Sequence, residues 1–186
     1  MTSRIGLLGG TFDPVHNGHI AIAEFALNKL NLNKLLITPA GNPWQKEKIS
    51  SYKDRFEMTK LAFTEYKDIE ISDLESDEIK PTFTYETLEK IKLQYQKSEI
   101  ILLIGSDAIS KFDSWEKPNI VKSLARIYVI PREGDFVIDW RFDRLDMPKI
   151  SISSTFIREK VKNSESIKNL VPVKVAEYIE AHNLYK

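Results

Sequence analysis

The stretch Arg4-Ile5-Gly6-Leu7-Leu8-Gly9-Gly10-Thr11-Phe12-Asp13-Pro14-Val15-His16-Asn17-Gly18-His19 decides how this chain is read. Arg4 to Leu8 is short, apolar and bounded by Gly9-Gly10, which suits a buried strand. From Asn17 to Leu30, apolar residues at Ile20, Ala23, Leu27 and Leu30 recur at helical spacing. The segment is therefore a strand, a glycine turn and a helix. Glycines at a strand end allow a tight turn and close approach of backbone to a ligand. A helix N-terminus offers backbone N–H groups and positive partial charge, which favour phosphate. Two histidines three apart share one side of the first turn and can donate to phosphoryl oxygens. The spacing is neither the dinucleotide fingerprint GxGxxG nor a Walker loop, which ends in Gly-Lys-Ser/Thr. His16 and His19 also have the spacing of metal ligands, but no third His or Cys lies nearby.

Outward from this stretch, strands and helices alternate. Lys34–Thr38 is a second strand stopped by Pro39, and 39–49 is a Pro- and Gly-containing loop. Ser51–Phe63 is helical, Ile69–Ile71 a short strand, and Tyr85–Tyr95 helical. Glu99–Ile104 is the strongest buried-strand signal, followed by Arg126–Ile130. A loop with a short strand at Phe136–Ile138 is expected next, then a last strand at Lys149–Ile152. Ser154–Val161 and Pro172–His182 are helices, the second with Pro in its first turn. Strands linked by helices imply right-handed crossovers and an α/β, Rossmann-like, doubly wound, mainly parallel sheet with helices on both faces. Such sheets bind ligands at the carboxyl ends of their strands. No repeat or linker divides the chain, so residues 1–186 are expected to form a single domain.

Composition bounds the function. The 186 residues carry 27 Lys+Arg and 27 Asp+Glu, a net charge of zero, with no Cys. The missing cysteines exclude a disulfide scaffold, a thiolate nucleophile and Cys-ligated zinc. No apolar run is long enough to span a membrane and no signal peptide is read, so a cytoplasmic enzyme is expected. Neutral charge and the absence of a basic run argue against nucleic acid as a partner. The acidic run Asp73 to Glu78 reads as a solvated loop, placed away from any anion site.

Gly9-Gly10-Thr11-Phe12-Asp13-Pro14-Val15-His16-Asn17-Gly18-His19 resembles the signature of the nucleotidyltransferase superfamily with the HxGH motif. Ile152-Ser153-Ser154-Thr155-Phe156-Ile157-Arg158 is similar to its ISSTxIR partner motif. Read on their own, these residues place helix-capping hydroxyls after a strand, with Arg158 positioned to fork two phosphate oxygens. Gly105-Ser106-Asp107, with Trp115 eight residues on, resembles the GxDxxxxxxxW segment of pyridine-mononucleotide adenylyltransferases. Thr84-Tyr85-Glu86-Thr87-Leu88 resembles the TYxTL segment of the bacterial nicotinate-nucleotide adenylyltransferase family, and the Leu170-Val171-Pro172…Leu184-Tyr185 ending matches as well. The likeness runs over nearly the whole chain. One departure is clear: residues 39–46 read PAGNPWQK where PxxxPPHK is usual, so Trp44 and Gln45 replace Pro and His while Lys46 is retained.

The resemblance implies transfer of the adenylyl group of ATP to nicotinate mononucleotide, giving deamido-NAD and pyrophosphate. It implies catalytic roles for His16, His19, Lys46 and Arg158. ATP would be bound by Gly9, Gly10, Thr11, Phe12, Gly18, Gly105, Asp107, Ser154 and Thr155. Nicotinate mononucleotide would meet Thr84, Tyr85 and Trp115, the indole covering the pyridine. Mg²⁺ is expected with ATP, held by phosphates and water with no protein metal cage. A homo-oligomer is compatible with the resemblance. The alternatives are a nicotinamide-mononucleotide adenylyltransferase, a pantetheine-phosphate adenylyltransferase and a nucleotide-binding module without catalysis.

Overall fold

The computed structural model describes residues 2–43, 49–131, 139–148 and 150–186. Six strands form one sheet: β1 (Arg4–Gly10), β2 (Lys34–Pro39), β3 (Ile69–Ile71), β4 (Glu99–Gly105), β5 (Arg126–Ile130) and β6 (Asp143–Arg144). Their order is β3-β2-β1-β4-β5-β6, and every pairing is parallel. The chain first winds outward from β1 through β2 to β3. It then returns to the other side of β1 and winds out through β4 to β6. The point of reversal is the β1/β4 pair, where a crevice opens beyond the carboxyl ends of the strands. Register sets that edge: Gly10 lies opposite Pro39, and Gly105 opposite Ile130.

The helices are α1 (Asn17–Lys29), α2 (Tyr52–Ala62), α3 (Thr84–Gln94), α4 (Ser106–Ile109), α5 (Pro118–Leu124), α6 (Ser154–Lys162) and α7 (Val173–Ala181). Alternation along the strands divides the core into two layers. Leu8, Leu35, Ile37, Ile101 and Leu103 pack with Ala23 and Ala26 of α1, Met58 of α2, Ile157 of α6 and Val175 of α7. Ile5, Leu7, Leu36, Ile100, Leu102 and Ile104 face the other way, against Leu88 and Ile91 of α3 and Val121 of α5. Apolar residues at successive positions are what a strand covered on both faces requires. Gly6 faces the first layer, where an added Cβ would lie 2.6 Å from the Leu32 side chain.

Two expectations change. Residues 150–152 are not a strand; the edge beside β5 is taken by β6, which pairs Asp143 with Tyr128 and Arg144 with Val129. Ile150 to Ser153 instead runs over the strand ends, where it helps to wall the crevice. Pro172 is the N-cap of α7 and stands just before the first turn, whereas Pro118 occupies the first turn of α5. The expected strand at Phe136–Ile138, and Lys149, lie outside the described residues. Among the described residues no helix is long and apolar enough to cross a membrane.

Candidate active site

β1 ends on Gly9-Gly10, and the loop that follows turns sharply into α1. Phe12 makes the turn with φ of 51°, in the left-handed region that bulky residues avoid. Its ring is buried, lies under Gly10 and meets the His19 ring edge-on at 4.9 Å. A Cβ on Gly9 would meet no atom within 4 Å, so this glycine opens onto the crevice. Packing of this kind supports the strained backbone at Phe12, and such strain gathers at functional loops.

His16 is the N-cap of α1, and His19 is its third residue. The two imidazoles stack with centroids 3.7 Å apart. The backbone N–H of His16 donates to His19 Nδ1 at 3.2 Å. Nδ1 of His19 is therefore an acceptor, and the neutral ring carries its proton on Nε2. The expectation of open amides at this helix start is only partly met. Asn17 N–H donates to the Leu170 carbonyl at 2.9 Å, and His19 N–H to that of His16 at 2.8 Å. Gly18 lies behind the histidines; a Cβ there would be 2.6 Å from Ile150 and 2.9 Å from His16. Its contribution is close packing of the motif.

The second motif is tied to the first. Ser153 caps α6 by accepting from Phe156 N–H at 3.2 Å. Ser154 Oγ donates to the Pro14 carbonyl at 2.9 Å. Arg158 Nη1 donates to the Asp13 carbonyl at 2.7 Å, and Nη2 to Thr155 Oγ1 at 3.3 Å. Segments about 140 residues apart in sequence are thus joined by side chain-to-backbone bonds at the mouth of the sheet.

Between them lies a cavity of about 610 Å³. Its wall holds Gly9, Gly10, Thr11, Phe12, His16 and His19 from the first motif, and Ser154, Thr155 and Arg158 from the second. Gly105 and Asp107 enter from the end of β4, and Asp107 is in the first turn of α4. Trp115 completes that side: it packs on Phe112 at 5.2 Å and also faces the cavity, so it is both core and wall. Thr84 brings the start of α3 to the same wall. Tyr85 does not line the cavity. Its hydroxyl meets Glu86 at 3.2 Å, and Lys117 Nζ stands 4.1 Å above its ring. Lys46, with Trp44 and Gln45, lies outside the described residues. Among the described residues no cluster of three His, Asp or Glu side chains could hold a metal.

Two residues were not singled out by the sequence. Glu75 belongs to the acidic run expected to lie in solvent, yet it lines the cavity. Its carboxylate accepts from Thr87 Oγ1 at 2.8 Å, and its backbone carbonyl accepts from Gly41 N–H at 2.7 Å. Burial pushes its pKa up to about 7, offset in part by Thr87 and Lys90. The other is Arg55, fully buried under the loop after β2. A sequence signal for it exists: Arg55, Met58, Thr59 and Ala62 form the buried stripe of α2 at helical spacing.

The cytidylyltransferase-like family model matches residues 7–160. A Clostridium novyi protein named "Probable nicotinate-nucleotide adenylyltransferase" is 38% identical over 196 residues, covering 97% of this chain and 98% of its own. One of the same name from Dehalococcoides mccartyi is 35% identical over 199 residues, covering 98% and 97%. The solved structure of Plasmodium falciparum nicotinic acid mononucleotide adenylyltransferase complexed with NaAD shares the fold. It has a TM-score of 0.84 at 23% identity and covers 98% of this chain and 97% of that one.

Proposed function

The chain belongs to the cytidylyltransferase-like family and, within it, to the nicotinate-nucleotide adenylyltransferases, and on that premise we propose that it transfers the adenylyl group of ATP to nicotinate mononucleotide. The products are deamido-NAD and pyrophosphate, a step in NAD biosynthesis. A 5′-phosphate oxygen of the mononucleotide attacks the α-phosphorus in line. The new O–P bond forms as the bond to the β-phosphate oxygen breaks, and pyrophosphate leaves with the electron pair. The attacking phosphate is already anionic near neutral pH, so neither a general base nor a covalent enzyme intermediate is needed. Catalysis then consists of positioning and charge stabilisation.

The chain's residues have the following roles. His16 and His19 hold phosphoryl oxygens around the reacting phosphorus, with His19 Nε2–H as a donor. Arg158 and Lys46 neutralise the departing phosphates, and Thr11, Ser154 and Thr155 complete the cradle. Asp107 accepts from ribose hydroxyls of the adenosine. Trp115 covers the pyridine ring, and the start of α3 at Thr84 receives the nicotinate carboxylate. Mg²⁺ arrives with ATP as part of the substrate, coordinated by phosphate oxygens and water.

One observation supports this most: His16, His19, Arg158, Asp107, Trp115 and Thr84 wall a single cavity, although they come from four separate parts of the chain. The test is a product assay of the purified chain with ATP and one acceptor at a time: nicotinate mononucleotide, nicotinamide mononucleotide or phosphopantetheine. Deamido-NAD should form fastest. Faster turnover of either other acceptor would replace this reading.

A further inference from the structure

Arg55 is fully buried, and among the described residues no carboxylate shares a hydrogen bond with it. Its guanidinium is held by four backbone carbonyls instead. Nε donates to Ser50 at 3.1 Å, Nη1 to Thr11 at 2.9 Å and to Ala40 at 2.7 Å, and Nη2 to Gly41 at 3.1 Å. Thr11 belongs to the loop after β1, Ala40 and Gly41 follow β2, and Ser50 precedes α2. These are three separate pieces of backbone, each beside the cavity or leading to it. A buried cation costs a great deal to desolvate, so satisfying it with carbonyls alone is a demanding arrangement. Burial pushes the Arg55 pKa down, and the nearby Asp13 and Glu78 charges oppose that effect. An arginine stays protonated under such a shift.

The counter-charge sits one step behind. The Asp13 side chain is 2% exposed. It accepts from Tyr185 Oη at 2.6 Å and from Ser50 N–H at 3.3 Å. The carbonyl of the same residue is the acceptor for Arg158. Ser50 is therefore held from both sides, by Arg55 at its carbonyl and by Asp13 at its amide. Gly41 is confined likewise: its amide donates to Glu75, and a Cβ there would collide with the carbonyls of Glu75 and Asp77.

We propose that Arg55, with Asp13 and Tyr185 behind it, is a positioning residue for adenylyl transfer. It fixes the spacing between the phosphate loop at Thr11–Asp13 and the backbone at Ala40–Gly41 and Ser50. Arg158 takes its own place from the Asp13 carbonyl, so it depends on the same unit. No part of the network touches the reacting atoms. Its effect is to keep the donors at one distance from each other, and small displacements of such groups slow a reaction held together by positioning. Lysine cannot replace it, because a single ammonium lacks the planar fork that reaches four carbonyls.

This inference rests on the adenylyl-transfer reading, and the experiment separates the two. Arg55→Lys and the unaltered chain are compared by thermal melting and by steady-state kinetics with ATP and nicotinate mononucleotide. In the folded variant kcat should fall about 10- to 100-fold. The KM for nicotinate mononucleotide should stay within about twofold, because the pyridine wall is untouched. A residue that only stabilises the fold would lower Tm and leave kcat per folded molecule unchanged, and that result overturns the proposal. If Arg55→Lys does not fold, Tyr185→Phe decides, since it frees Asp13 without opening a cavity. A fall in kcat per folded molecule of about threefold or more supports the proposal, and an unaltered kcat overturns it whatever the change in Tm. If the unaltered chain makes no deamido-NAD, it is the reading of function that fails. Amide exchange at Ala40, Gly41 and Ser50 then reports on the network alone: faster in either variant supports it, and unchanged exchange removes it.

Discussion

The loop at residues 9–19 and the acidic run at 73–78 stand on the same cavity and are built on opposite plans. The first has two histidines, three glycines and one carboxylate, Asp13, turned inward and hydrogen-bonded by Tyr185 and Ser50. The second puts four carboxylates in six residues. Asp73, Asp77 and Glu78 are exposed, and Glu75 alone turns to the cavity. Within the first loop, stacked rings and a helix cap set the local geometry, and Arg55, Ser154 and Arg158 anchor its backbone from outside. The environment of Glu75 is created by Thr87 and Gly41, neither adjacent in sequence. Charge around this cavity is therefore not sorted by sequence segment. A neutral chain places an acid on the same cavity wall as His16, His19 and Arg158, and burial pushes that acid's pKa up to about 7.

That contrast breaks most readily at His19. His19→Ala should lower kcat by about 100-fold or more with the melting temperature little changed, as for loss of one preorganised donor. Turnover close to normal would mean that the histidine pair is only structural. Next in size is Trp115→Ala. It should raise the KM for nicotinate mononucleotide by about tenfold, the loss of one stacking partner, while the KM for ATP stays within about twofold. Equal shifts for both substrates would place Trp115 in the core alone.

Glu75→Gln sharpens the other side of the comparison, with a smaller effect. The folded pKa of Glu75, about 7, lies above its unfolded value. The folded state thus binds more protons between those two values, and stability falls as pH rises through that window. Discounted for contact with solvent in the cavity, the fall amounts to about 1–3 kcal/mol. Gln keeps an acceptor for Thr87 and cannot ionise. Denaturant unfolding from pH 4.5 to 8 should show a flatter profile for the variant. Parallel profiles would show that Glu75 is ionised throughout. The smallest effect belongs to Ser154→Ala, which removes the bond to Pro14 and should cost about 1 kcal/mol in the same unfolding experiment.

Much of this was legible because the signals are local. The strand, turn and helix of residues 4–30 follow from apolar spacing and glycine, and Ile69–Ile71 and Arg126–Ile130 appear at the expected bounds. The capping role of Ser153 follows from hydroxyls placed just before a helix. What was missed depends on tertiary neighbours. β6 is two residues long and has no periodicity to read. The short α4 is set by the turn off β4. Tyr85 was assigned with Thr84 by resemblance, yet only Thr84 reaches the cavity wall, because successive residues in a first helical turn point in different directions. Arg55 sits on the buried stripe of α2, where a charged residue reads as an interruption until its four carbonyls are seen.

We propose that one cavity holds both the phosphate chemistry and the pyridine. A crystal structure of this chain with deamido-NAD bound tests it directly. The pyridine ring should lie against Trp115 with its carboxylate at the start of α3, the adenosine ribose at Asp107, and the phosphates beside His16 and His19. A dinucleotide bound away from the histidine pair, or with its pyridine ring remote from Trp115, would contradict it.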